Sequence, residues 1–370
     1  MPGGKVVTTR LRLRLRLFAA KPPRRTATAS RARRAKFALA VGAIVTLAVF
    51  FGLAIAVETG KPEWRDPEYG HRLKQLRALQ AAHPHRPLVV AVGSSRTQMG
   101  VCPDAMGFAD APDSPLVYNF GQSAAGPLRL LLTLHRLLDA GVKPTRVLVE
   151  LFPLALAADG PAEVQMRGLG AKLGAADLRR LAPYCEDAGA LRGEWASARA
   201  ASLSSLRLNL MSHWQPGLLP WPKRLDFQWS LLDPRGWLAY PIEDVRDETR
   251  AAGIVRARGE YVERLKHFAV GGMSRRAMRD LVTRCESEGV RVAFYLMPEG
   301  PAFRSWYPPE TRAAVDAAVA ELAALAPVFD ATAGFGEAEF ADSHHLLRGG
   351  AARFSKKLAD EHLRAWARSP

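Results

Sequence analysis

Two short stretches of this chain carry the residue types of nucleophilic catalysis. One is Gly93-Ser94-Ser95-Arg96, at the end of an apolar run. The other is Asp342-Ser343-His344-His345, near the C-terminal end. A serine hydroxyl is almost wholly protonated near neutral pH, so it attacks only when a histidine takes its proton and a third group orients that histidine. Asp342 stands three residues before His345, a separation that one turn closes, so its carboxylate can point at the imidazole. Negative charge growing on a carbonyl oxygen also needs preorganised donors. The backbone N–H groups of Ser95, and of Gly121 and Ala124 in "NFGQSAAG", are the candidates.

Each of these residues also has a plainer use. Serine is favoured at helix N-caps and turns, which is the plainer reading of Ser95, and Ser94 reads as a turn residue. Ser95, in the company of Asp342 and His345, is assigned as nucleophile. Arg96 could bind a substrate carboxylate or phosphate, or form an ordinary ion pair. Glu299 could line the site or bond to its own turn, and Glu150, an unexpected charge within the apolar "VLVEL", could support the site from behind or simply sit at a strand end. Adjacent side chains such as those of His344 and His345 seldom reach one ion, so no metal is expected, and no cofactor either. The phosphate-loop and dinucleotide glycine patterns are absent.

These residues can meet only if strands and helices alternate. Apolar runs at 87–93, 115–121, 146–151, 290–297 and 327–331 read as strands, and 127–141, 274–288, 309–325 and 349–367 as helices. This pattern predicts an α/β fold with a doubly wound, mainly parallel, flavodoxin-like sheet, whose sites form beyond the carboxyl ends of its strands. Residues 159–270 break the rhythm with Ala- and Arg-rich helical stretches and five of the eight tryptophans. They read as an insertion whose tryptophans form either its own core or a sugar-stacking surface.

The charge of +16 points to nucleic acid only until it is located. Residues 1–36 hold twelve Lys or Arg and no acid, leaving +4 for the rest, so no nucleic-acid partner is expected. The stretch "RLRLRLRL" suits a basic arm on anionic headgroups. Residues 37–57 then form an uncharged run of twenty-one, enough to span a bilayer as one helix. Basic residues before it and Glu58 after it predict a cytoplasmic N-terminus and an extracytoplasmic remainder. A cleaved signal sequence and a buried soluble helix are the competing readings. Residues 58–86 read as a stalk and 87–370 as the catalytic domain. Cys102, Cys185 and Cys285 allow one disulfide at most.

Taken in order, "VVAVGSSRT", "YNFGQSAAGP" and "DSHHL" resemble the blocks of the SGNH or GDSL-like hydrolases. The resemblance covers residues 86–157 and 272–365. It implies Ser95 as nucleophile, His345 as general base and acid, and Asp342 as its orienting group, with an acyl ester as substrate. Two departures stand out. Many members have Gly-x-Asn-Asp after the third strand, with Asn as an oxyanion donor, whereas this chain has "FPLAL" with Leu154 near that position. Ala124 also stands where glycine is common. The pattern is nearer to membrane-anchored relatives, the D-alanine transfer protein of teichoic acids and O-acetyl transfer proteins of polysaccharides. That implies esterase or O-acyltransferase chemistry on an envelope polysaccharide, alongside partner proteins of an envelope complex. The alternative is a non-catalytic scaffold or glycan-binding protein of the same fold.

Overall fold

The computed structural model describes residues 25–59, 62–157, 160–266 and 268–368. The stretch "RLRLRLRL" lies outside them. The chain divides into two units, 1–51 and 52–370. The first contains most of helix α1 (Arg25–Thr59), which continues into the second. From Ser30 to Thr59 this helix is long and apolar enough to cross a membrane, and only 6% of its most apolar stretch is buried. A core helix of a soluble domain is mostly covered, and this stretch is not.

In the second unit, five strands form one parallel sheet: β1 (Leu88–Gly93), β2 (Leu116–Gly121), β3 (Arg146–Leu151), β4 (Arg291–Leu296) and β5 (Val328–Asp330). Their order is β2-β1-β3-β4-β5, the doubly wound arrangement expected. The main helices are α2 (Pro67–Ala82), α3 (Ser95–Gly100), α4 (Pro127–Asp139), α5 (Ala188–Ala200), α6 (Ser202–Trp214), α7 (Asp247–Lys266), α8 (Gly272–Ser287), α9 (Pro309–Ala323) and α10 (Arg348–Leu358).

Successive strand residues point to opposite faces, and both faces are covered. Val90, Val92, Val147, Val149 and Phe294 pack with Leu128 and Leu131 of α4 and Leu281 of α8. Val89, Ala91, Leu148, Ala293 and Tyr295 pack with Phe354 and Leu358 of α10. In register, Gly93 lies opposite Gly121, and Leu151 opposite Leu296, so the strands end along one rim. The order reverses between β1 and β3, and that crevice is where sites form in such sheets.

One expectation changes. Residues 58–86 are no free stalk: α2 buries Tyr69, Leu73 and Leu76 in the main core, because its apolar residues recur at helical spacing. The insertion between β3 and β4 is helical, with no strand among its described residues. Of its five tryptophans, Trp229 is buried and Trp195 and Trp237 pack against the two cores, whereas Trp214 and Trp221 are exposed. The three cysteines are free.

Candidate active site

The crevice between β1 and β3 is built on the turn at Ser94. Ser94 caps α3, its hydroxyl accepting the Arg96 N–H at 3.1 Å. Glu150, at the end of β3, holds the turn from below. Its carboxylate accepts the Ser94 N–H at 2.6 Å, the Ser94 hydroxyl at 3.1 Å and the Thr97 hydroxyl at 2.6 Å. A charge buried within an apolar strand is expensive unless fully bonded, and these contacts are why Glu150 is tolerated there. Gly93 is required for the same reason, since a β carbon would collide with Thr97 Oγ1 and Glu150. The doublet is thereby split: Ser94 faces inward, and the half-buried Ser95 faces the rim.

The second half of the site comes from the loop before α10. Ser343 takes a left-handed conformation, φ +70°, and its hydroxyl accepts the Phe303 N–H at 2.9 Å. This bend brings Asp342 and His345 together. Asp342 Oδ1 accepts the His345 N–H at 2.9 Å, and Oδ2 lies 2.8 Å from His345 Nδ1. His345 Nε2 lies 2.8 Å from Ser95 Oγ. With its Nδ1–H donating to the carboxylate, Nε2 is free to accept the serine proton.

Burial raises the Asp342 carboxyl, but hydrogen bonds from His344 and His345 outweigh it and hold the group well below the ordinary carboxylate range. It is therefore an anion at neutral pH. His344 shares the same carboxylate, its Nδ1 3.1 Å from Oδ1, and its ring lies 4.0 Å from that of His345. Tyr261 of α7 and Phe303 enclose it, and burial lowers its imidazole despite Asp342, so it stays neutral. Asp342, His344 and His345 offer ligand atoms within 4.8 Å of one another, close enough to share an ion. Both carboxylate oxygens, however, already face an Nδ1, and the other nitrogen of His345 faces Ser95. The pairing is that of a proton relay rather than a cage.

The oxyanion side differs from expectation. The Gly121 N–H donates to Asn119 Oδ1 at 2.8 Å, so it is not available to a substrate oxygen. Asn119, buried, also donates to the carbonyls of Thr97 and Val101 at 2.8 and 2.7 Å, tying β2 to the end of α3. Gly121 serves packing, since a β carbon there would strike the Gln98 amide. Ala124 does stand exposed at a turn closed by Ala125 N–H to Gln122 O at 3.1 Å, with φ +57°. The Ser95 N–H belongs to the first turn of α3, where no intrahelical carbonyl reaches it. Leu154 is buried with Leu265 and Phe303, so the position compared with the family's asparagine is apolar core.

Arg96 points away from any substrate. It is 2% exposed, donates to the carbonyls of Met297 and Pro298 at 2.9 and 3.0 Å, and lies between Glu150 and Glu299. Of its two expected uses, the ion pair is the one the structure contains. Glu299 accepts the Tyr307 hydroxyl at 2.9 Å, and burial raises its carboxyl against the pull of Arg96. It lines a cleft of about 510 Å³ with Leu151, Leu296 and Val315, a cleft whose lining includes neither Ser95 nor His345. Glu150, Asn119 and His344 are the site's supporting residues that spacing alone did not assign. A charge in an apolar strand was the visible signal for the first.

No protein-family model matches the chain, and no curated protein matches it. Among solved structures, one that matches is described as a putative acylhydrolase from Bacteroides fragilis NCTC 9343. It is 11% identical, the match covers 80% of this chain and 97% of that one, and the TM-score is 0.33. At that level the likeness carries no argument about chemistry, which rests on the geometry above.

Proposed function

We propose that this protein is a serine-dependent esterase or O-acyltransferase, and the observation that carries the reading is the continuous contact Ser95–His345–Asp342, with 2.8 Å at each link. His345 takes the Ser95 proton as Oγ attacks the acyl carbonyl. Asp342, ionised, holds the imidazole in the required tautomer and stabilises its cation. The Ser95 N–H and the Ala124 turn are the donors for the oxyanion. His345 then protonates the departing alcohol, leaving an acyl-serine. A second hydroxyl, from water or a sugar, loses its proton to His345 and attacks the acyl-serine, and His345 returns that proton to Ser95 Oγ as the acyl group leaves on the new oxygen. In this reading α1 anchors the chain, the basic N-terminal segment is cytoplasmic, and the substrate is an acyl ester of a cell-envelope polysaccharide.

A second reading, a non-catalytic envelope scaffold or glycan-binding protein, is favoured by one observation: Gly121 is already bonded and Leu154 is buried, so the oxyanion side has few donors. Labelling the detergent-solubilised full chain with a fluorophosphonate separates the two. The esterase reading expects labelling that disappears in Ser95→Ala, with unchanged thermal unfolding. Equal labelling of both proteins, or none of either, sinks it and leaves the scaffold.

A further inference from the structure

The middle of the insertion carries large apolar side chains that are left mostly exposed. Between α6 and residue 231, Leu218 is 70% exposed, Trp221 68%, Leu231 63% and Trp214 54%, with Phe227 beside Trp221. Leu225 N–H donates to Ser212 Oγ at 3.0 Å, so this segment folds back on α6 rather than trailing free. Large exposed apolar side chains grouped this closely in the chain are the kind that serve an interaction surface.

The attachment of this surface identifies its partner. The last turn of α1 belongs to the same unit, with Val57 buried and its carbonyl accepting from Arg65 at 3.1 Å. Glu58 pairs with Arg199 of α5 at 3.1 Å. Just beyond, Trp64 packs edge to face with Trp214 at 5.5 Å, and Asn209 of α6 donates to the Arg65 carbonyl at 3.0 Å. The exposed tip thus begins where the apolar helix ends. Its charge has the complementary sign: residues 201–232 carry Arg207, Lys223 and Arg224 against one acid, Asp226, which Arg224 already holds at 2.6 Å. Tryptophan favours the boundary between headgroups and acyl chains, and basic residues favour anionic lipid.

We propose that residues 213–231 are a membrane-interface element, bedding Trp214, Leu218, Trp221 and Leu231 into the headgroup layer of the bilayer that α1 crosses. This rests on the anchor reading of α1. It would give the domain a second attachment and a fixed face toward the lipid.

The test uses the full chain in phosphatidylcholine–phosphatidylglycerol vesicles, with a nitroxide attached to Leu218→Cys, Trp221→Cys or, as a distant control, Val255→Cys. Val255 is 72% exposed on α7. The unsubstituted chain reports any labelling of the native cysteines. At 218 and 221 the label should be relaxed by oxygen and shielded from a water-soluble nickel chelate, with the opposite result at 255. Nickel access at 218 and 221 equal to that at 255 overturns the proposal. So does shielding in native membranes that is missing in lipid vesicles, which would assign the surface to a protein partner. A chain that washes off with carbonate overturns the anchor reading first and this one with it, whereas a retained chain with nickel-accessible labels overturns this one alone.

Discussion

The rim around Ser95 and the tip of the insertion solve opposite problems. At the rim, polar and charged groups are buried or half-buried, and each is held by several partners: Glu150 by Ser94 and Thr97, Asp342 by both histidines. At the tip, Trp221 and Leu218 are exposed with little of the chain against them. A buried polar group without partners costs more than its neighbours can offset, so the rim has one geometry. An exposed apolar group costs stability only weakly, so the tip can be kept for something outside the chain.

Substitutions can break or sharpen this contrast. The largest effect is expected at Asp342→Asn, which leaves a neutral amide where His345 Nδ1–H needs an acceptor. Turnover of an activated ester should fall on the order of 10⁴-fold. The same variant reports a pH effect. The folded chain holds the Asp342 carboxyl below its unfolded value of 3.8, so its stabilisation is complete above that value and is lost as pH falls below it. The difference in Tm between parent and variant should therefore be greatest near neutrality and shrink in acid. A constant difference from pH 7 to pH 3 would contradict the shift.

Glu150→Ala removes the carboxylate beneath the turn and leaves part of the Arg96 charge unmatched. Breaking a buried pair of this kind costs about 3–5 kcal/mol, to be read from denaturant unfolding. A loss under 1 kcal/mol would mean that the turn holds itself. At Ala124 the sign reverses. A residue other than glycine at φ +57° carries about 1 kcal/mol of strain, partly offset by the extra freedom of unfolded glycine. Ala124→Gly should raise stability by about 0.5 kcal/mol, and a loss instead would mean that the methyl packs. The smallest effect is expected at the tip, where Leu218→Ser should change stability in detergent by less than about 0.5 kcal/mol. A larger loss would show that the tip is part of the core after all.

Much of this was legible in the chain itself. Runs such as Leu88–Gly93 and Arg146–Leu151 are strands because β-branched and apolar residues suit a sheet buried on both faces. The uncharged stretch from Phe37 forms a helix of membrane-spanning length because nothing in it interrupts or polarises one. Asp342 and His345 could be selected by type and order, since Asp-x-x-His is a local device that one bend closes, whereas the choice of Ser95 over Ser94 came from the resemblance of "VVAVGSSRT" to a family block.

The tertiary structure decided what depends on distant segments meeting. Whether Asn119 turned its Oδ1 onto the Gly121 N–H depended on its amide nitrogen meeting the carbonyls of Thr97 and Val101 at the end of α3. Whether Arg96 met a substrate depended on Glu299 and two carbonyls about two hundred positions away in the sequence. Residues 58–86 read as a stalk because three apolar side chains on one helix face say nothing of the core awaiting them. Local pattern determines which element forms, because backbone geometry sets the period. Which polar groups end up buried, and with whom, is settled only when the crossovers bring separate strand ends to one rim.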